Sequence, residues 1–237
     1  MTTLEDAVQY LLNNTGDRPN TREVVAALAA AEKQSKKEKR RYDYTQLVGA
    51  WRLGFVSGTK TQKSPTQKGQ KQPSSKATKQ LGSGRFLPRW IDVSITYGPQ
   101  KALLKPNLID QRLVARSDEK ESTDPVSALP LDEHEELSAR LGAVVNRVAL
   151  GAIALQLSGP TYYWPNTNSL GFDFVYLQGE VGRFTLYSAP VRGGVERAQT
   201  FANQTLKDQA FFTFFAVTET YLAARGKGGG LALWTRA

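Results

Sequence analysis

Leu47-Val-Gly-Ala-Trp-Arg-Leu-Gly-Phe-Val-Ser57 reads as the start of a β-strand. In extended geometry Leu47, Gly49, Trp51, Leu53 and Phe55 share one face, while Val48, Ala50, Arg52, Gly54 and Val56 share the other. A glycine two places before a tryptophan on the same face predicts that a backbone or a bulky ring passes close by, as happens where a curved sheet closes on itself. Trp51 is therefore expected to plug one end of a barrel. On these residues alone, an ordinary strand with a core tryptophan is the alternative.

Upstream, Leu4, Ala7, Val8, Leu11 and Leu12 recur at helical spacing behind Thr2 or Thr3 as N-cap, with Glu5 or Asp6 completing the box. Asn13 to Asn20, with Gly16 and Pro19, breaks this helix. A second helix starts at Asn20 or Thr21, carries Val24, Val25 and Leu28, and ends in a cationic run to Arg41 that suits the helix dipole. Residues 1–41 thus form a helical lead-in.

Downstream, Gly58 to Gly84 is rich in Lys, Gln, Ser, Thr, Gly and Pro and buries too little apolar surface to order itself. It is expected to be a disordered loop between two strands. The net charge of +9 is concentrated here: Lys60, Lys63, Lys68, Lys71, Lys76, Lys79 and Arg85 stand without an acid, leaving the rest of the chain at about +2. Such a loop attracts anionic lipid or binds phosphate backbones without sequence preference, or it serves only as a solubilising insertion.

Arg85 to Tyr97 reads as a half-buried strand that includes Trp90 and ends at Gly98-Pro99, and a further strand is expected near Leu108 to Arg116. Ser117 to Glu136 is acidic, and a turn or two of helix is expected around Leu131 to Leu141. Beyond Gly142 everything reads as β-structure. Val144 to Leu157 bends at Gly151 and ends at Gly159-Pro160, followed by strands over Leu170 to Leu177, Gly179 to Ala189, Phe211 to Val217 and Leu231 to Thr235. Antiparallel strands behind a helical lead-in, with glycines at corners, fit a closed barrel spanning 47–235 within a single domain of 1–237.

The chemistry is narrow. There is no cysteine, and His134 is the only histidine, so thiolate sites, histidine-cluster metal sites and Ser/His nucleophile pairs have little to work with. Arg225-Gly-Lys-Gly-Gly-Gly230 lacks the Ser or Thr of a phosphate loop and reads as a hairpin turn. Asp173 with Glu180, or Asp92 with Asp110, has no feature that singles it out as an acid/base pair. No apolar run is long enough to cross a bilayer as a helix, and the first residues lack a leader pattern. No enzymatic activity and no cofactor are expected.

Leu47-x-Gly49-x-Trp51-x-Leu53-x-Phe55 behind a helical segment resembles the opening strand of the plastid lipid-associated protein (fibrillin) family. Arg225-Gly-x-x-Gly-x-Leu231 resembles that family's closing element. The resemblance implies a mainly β fold, a lipocalin-like antiparallel β-barrel with two N-terminal helices. It further implies a non-catalytic binding or scaffold protein for carotenoid, quinone or lipid at photosynthetic membranes, peripheral to the thylakoid on its cytoplasmic or stromal side. A photosynthetic membrane-protein complex is the implied macromolecular partner. By analogy with lipocalins, Arg225 would stack on Trp51. The ligand-binding residues expected are Trp51, Phe55, Trp90, Phe172, Phe174, Tyr176, Phe212, Phe214 and Arg225, with Lys60, Lys63, Lys68, Lys71, Lys76 and Lys79 facing an anionic membrane. A nucleic-acid-binding accessory protein using the basic loop is the alternative. The sequence departs from the family pattern in its Lys-rich insertion, in its acidic segment and in ending Leu-Ala-Leu-Trp.

Overall fold

The computed structural model describes residues 2–13, 17–61, 79–99 and 140–237. Helix α1 (Leu4–Asn13) opens on a reciprocal cap in which the Thr3 amide donates to Asp6 Oδ2 at 2.7 Å and the Asp6 amide to Thr3 Oγ1 at 3.1 Å. Helix α2 (Thr21–Glu38) is capped by the Asn20 side chain and stops at Lys39, whose left-handed backbone returns its amide to the Lys36 carbonyl. A short helix, α3 (Tyr44–Leu47), then delivers the chain into strand β1 (Gly49–Thr61).

Ten more strands follow: β2 (Lys79–Phe86), β3 (Ile91–Gly98), β4 (Leu141–Leu150), β5 (Ile153–Trp164), β6 (Ser169–Phe172), β7 (Tyr176–Val181), β8 (Phe184–Pro190), β9 (Ala210–Val217), β10 (Tyr221–Gly226) and β11 (Leu231–Arg236). Among the described residues, eight of the eleven strands close a ring in the order β1-β11-β10-β9-β6-β5-β4-β3, antiparallel throughout, and the β3–β1 pairing completes it. This is the closed antiparallel barrel expected from the sequence. Strand β2 extends from β1, the β7–β8 hairpin extends from β5, and α4 (Gly194–Thr200) lies between β8 and β9.

The core has two layers. Inside the ring, Trp51, Tyr97, Val144, Tyr163, Leu170, Phe172, Phe214, Leu222 and Trp234 pack together. Outside it, α1 and α2 lay Leu4, Val8, Val24 and Leu28 over Phe55, Phe86, Phe215, Ala223 and Leu233. The helices therefore cover a wall of the barrel, and its end is capped by the α3 segment.

Several local expectations are corrected. Phe55 leaves the face it would share with Trp51, because a bulge between Leu53 and Phe55 against β11 turns it outward beneath the helices. The backbone pairing of β1 with β2 runs from Phe55↔Phe86 to Thr61↔Lys79, well into the stretch expected to be loop; the small residues of β2 let Phe55 pack directly beneath Gly84. Trp90 lies in the turn between β2 and β3, outside the strand it was read into. Gly151 makes a tight hairpin turn between β4 and β5. Strand β5 runs on through Gly159-Pro160, because the missing proline N–H falls at the corner where β5 exchanges β7 for β6 as its neighbour. A Cβ on Gly159 would collide with the Asp173 carbonyl oxygen, since that corner crosses directly over it. Residues read as the link before the last strand, from Ala223 onward, instead form most of β10, with Leu222, Ala223 and Ala224 all buried.

The strand near 108–116, the acidic stretch 117–136 with His134, and Lys63, Lys68, Lys71 and Lys76 lie outside the described residues, as does most of the helical turn around 131–141, where Leu141 begins β4.

Candidate functional site

The two ends of the barrel differ. At one end the segment from Arg40 to Val48 crosses the opening as a floor. Tyr42 donates its hydroxyl to the Phe215 carbonyl at 2.9 Å and accepts at its own carbonyl from the Tyr163 hydroxyl at 2.7 Å. Asn168, in left-handed backbone, accepts from the Tyr42 amide and donates to the Arg40 carbonyl at 2.8 Å. The Tyr44 hydroxyl reaches the Gly98 carbonyl at 3.1 Å and lies 3.3 Å from Thr161 Oγ1. Behind these bonds Trp51 is fully buried, its indole N–H donating to the Leu47 carbonyl at 2.8 Å.

The guanidinium of Arg236 lies over the Trp51 ring, 4.4 Å from its centroid, and donates to the Val48 carbonyl. Arg225, expected in that place, is turned outward on β10 and forms a two-pronged ion pair with Glu32 of α2. The register explains the exchange: Trp51 stands opposite Arg236 on β11, whereas Arg225 has the opposite parity to the inward Leu222 and Ala224 and so faces the helices. Gly49 has φ of 132°, and a Cβ there would meet Arg236 Nη1 at 2.6 Å; the group passing close to this glycine is the stacked arginine.

Above the floor sits a belt of rings. Phe212 stacks on Phe172 at 5.2 Å and meets Trp234 edge-on at 5.1 Å, Phe174 joins Phe172 at 5.4 Å, and Phe214 completes the group. Four of the expected lining residues, Phe172, Phe174, Phe212 and Phe214, are thus brought together with Trp51 inside the ring. Tyr176 is not among them: the pairing sum of β5 shifts by one between Thr161↔Phe172 and Ser158↔Tyr176, which turns Tyr176 outward to bond Ser188. The Tyr97 hydroxyl is buried in the interior with no hydrogen-bond partner among the described residues, and burial holds its pKa far above the ordinary tyrosine value.

At the other end the wall flares. Past Ser94, β3 leaves β1, and β3, β4, β5, β7 and β8 continue outward as a sheet. Its inward positions follow from the register: Val93 faces Val148, Ile91 faces Leu150, Leu155 faces Val148, Ile153 faces Leu150 and Val181, and Val181 faces Phe184. These continue the barrel lining, yet Ile153 is 61% exposed, Phe184 76% and Leu150 50%. The reverse face of the same sheet carries Arg147, Gln156, Gln178 and Glu180, with Arg147 paired to Glu180 at 3.7 Å. Among the described residues this sheet turns its apolar face toward solvent, the arrangement that marks contact sites for a partner, a membrane or a ligand.

None of these mouth residues was nominated from sequence, because an apolar position at strand spacing reads as core whether or not anything covers it. Asp173 is buried and ion-paired to Arg192 at 3.1 Å and to Arg197 of α4, so it ties the β6–β7 corner to that helix. Among the described residues there is no cluster of three His, Cys, Asp or Glu able to hold a metal, and no helix is long and apolar enough to cross a membrane. Comparison with family models and with curated proteins finds no match to the chain.

Proposed function

We propose that the protein is a non-catalytic binding or scaffold protein for an apolar, chain-like molecule such as a lipid, quinone or carotenoid, which it takes up at the open mouth of the barrel. The observation that carries this reading is the continuity between the buried lining of the ring and the exposed Val148, Leu150, Ile153, Leu155, Val181 and Phe184 of the flared sheet. Apolar sites with few polar groups are how proteins hold such molecules, and an eight-strand barrel has an interior that admits side chains or one small ligand.

Action at a photosynthetic membrane, peripherally at the thylakoid surface, is supported by the fibrillin-like elements at Leu47–Phe55 and Arg225–Leu231 and is part of the same proposal. So is an anionic membrane contact by the Lys-rich stretch, whose bounding strands end at Thr61 and Lys79, toward the flared end of β1. Purified protein incubated with a detergent extract of thylakoid lipids and re-isolated should yield apolar material on solvent extraction. The Ile153→Glu/Leu155→Glu variant should come back bare. Equal recovery from both would overturn the reading.

A further inference from the structure

One hydroxyl inside the barrel is cut off from solvent without gaining a partner. Tyr97 is 1% exposed, stands at an inward position of β3 and meets the Phe214 ring edge-on with centroids 6.4 Å apart. Its hydroxyl has no hydrogen-bond partner among the described residues. A hydroxyl buried in that way bears the full penalty of desolvation, and a phenylalanine would fill the same space without it. The nearest phenol, Tyr44, brings no relief, because its hydroxyl is engaged with the Gly98 carbonyl and Thr161 Oγ1. Tyr97 also stands at the end of a path. From the mouth, the inward row of β4 runs Leu150, Val148, Asn146, Val144, and Tyr97 lies opposite Val144 on β3, behind an apolar row of its own strand. An apolar chain entering along these two rows meets its first polar side chains at the level of the half-buried Asn146 and of Tyr97.

We infer that Tyr97 is the polar anchor of the barrel interior, its hydroxyl donating a hydrogen bond to a neutral carbonyl oxygen carried by the apolar guest, as a ketone, quinone or ester presents. The inference rests on the reading of the barrel as host to an apolar chain and adds the functional group by which that guest is held. A pure hydrocarbon would leave the hydroxyl as unpaired as before. A carboxylate would be stripped of water beside two rows that hold no cation, at far greater cost than a neutral acceptor. One placed polar group in an otherwise apolar lining is how such sites fix the orientation of what they bind.

The test uses decanophenone and decylbenzene, which differ only in a carbonyl where the other has a methylene, as competitors that displace diphenylhexatriene from the full chain. The ketone-to-hydrocarbon affinity ratio should fall by about two- to tenfold in Tyr97→Phe, the span of one net hydrogen bond, while the affinity for decylbenzene stays unchanged. Without any probe, Tyr97→Phe should melt no lower than wild type, since the substitution removes an unpaired hydroxyl and keeps the ring. The infrared carbonyl band of decanophenone bound to wild type should lie below its position in hexane and move back toward it in the variant. If the variant does not fold, the band on wild type decides alone, and an unshifted band overturns the anchor. An unchanged affinity ratio, or a clearly lowered melting temperature that reveals a partner for the hydroxyl within the folded chain, overturns the anchor and leaves the mouth reading standing. Failure of both competitors to displace diphenylhexatriene, or of diphenylhexatriene to bind at all, overturns both.

Discussion

The floor and the mouth of this barrel use the same sequence device, apolar residues at every second strand position, and arrive at opposite exposures. At the floor, Trp51 is wholly buried because α3, Arg236 and a net of tyrosine and asparagine hydrogen bonds cover it. At the mouth, Ile153 and Phe184 occupy the equivalent inward face with nothing above them among the described residues. Burial of an apolar side chain is a property of what crosses over it as much as of the strand that carries it. Buried contacts stabilise the floor, and the mouth leaves apolar surface exposed that the proposed function assigns to another molecule.

The floor should therefore be the most sensitive place to cut. Trp51→Ala removes the largest buried ring, one indole hydrogen bond and the partner of Arg236, and should cost about 3–5 kcal/mol, read as a lowered denaturant midpoint. Arg236→Ala should cost about 0.5–2 kcal/mol, and the double variant should be less destabilised than the sum, because the two share one contact. Additive losses would show that the stacked guanidinium contributes nothing to the floor.

The wall beneath the helices comes next. Arg225→Ala leaves the buried Glu32 carboxylate with only Lys36, 2.8 Å away, as a cation among the described residues, and should cost about 1–3 kcal/mol. Burial alone would raise the pKa of Glu32, but the hydrogen bonds from Arg225 and Lys36 outweigh it and hold the carboxyl below its ordinary value. A folded-state value below the unfolded one means that the contribution is complete above the ordinary glutamate range and fades as pH falls through it. Wild type should lose stability on acidification more steeply than Glu32→Gln, a difference visible in melts run from neutral to acid pH; parallel curves would remove the pair from the ledger.

The mouth should respond least. Ile153→Glu and Leu155→Glu should each shift stability by no more than about 0.5 kcal/mol, since both side chains already stand in water. A loss of several kcal/mol would show that these residues are core, and the contrast between the two ends would collapse.

Much of the floor was legible in the sequence. The alternation around Trp51 placed it inside, and Gly49 signalled a close approach that proved to be Arg236. Which arginine stacks there was not legible, because strand parity at β10 and β11 depends on where β10 begins, and Ala223-Ala-Arg-Gly reads as a turn until its neighbours are known. Phe55 and Tyr176 were misplaced for one shared reason: a one-residue shift in pairing inverts every later side chain, and neither the bulge in β1 nor the corner between β6 and β7 carries a local marker strong enough to locate it. Pro160 misled in the other direction, since a missing N–H is harmless where a strand changes neighbours. The mouth was invisible because exposure of Ile153 or Phe184 is decided by the flare of the sheet.

Photolabelling with a diazirine-bearing octadecanol, followed by mass-spectrometric mapping of the adducts, examines the contrast between the two ends directly. Adducts should concentrate on the mouth strands, in the segments Val148 to Leu155 and Val181 to Tyr187, and vanish from them when unlabelled octadecanol competes. Adducts confined to the helical face or scattered without competition, or a concentration-dependent dimer whose interface is the flared sheet and which excludes the probe, would contradict the mouth as the place where an apolar chain is held.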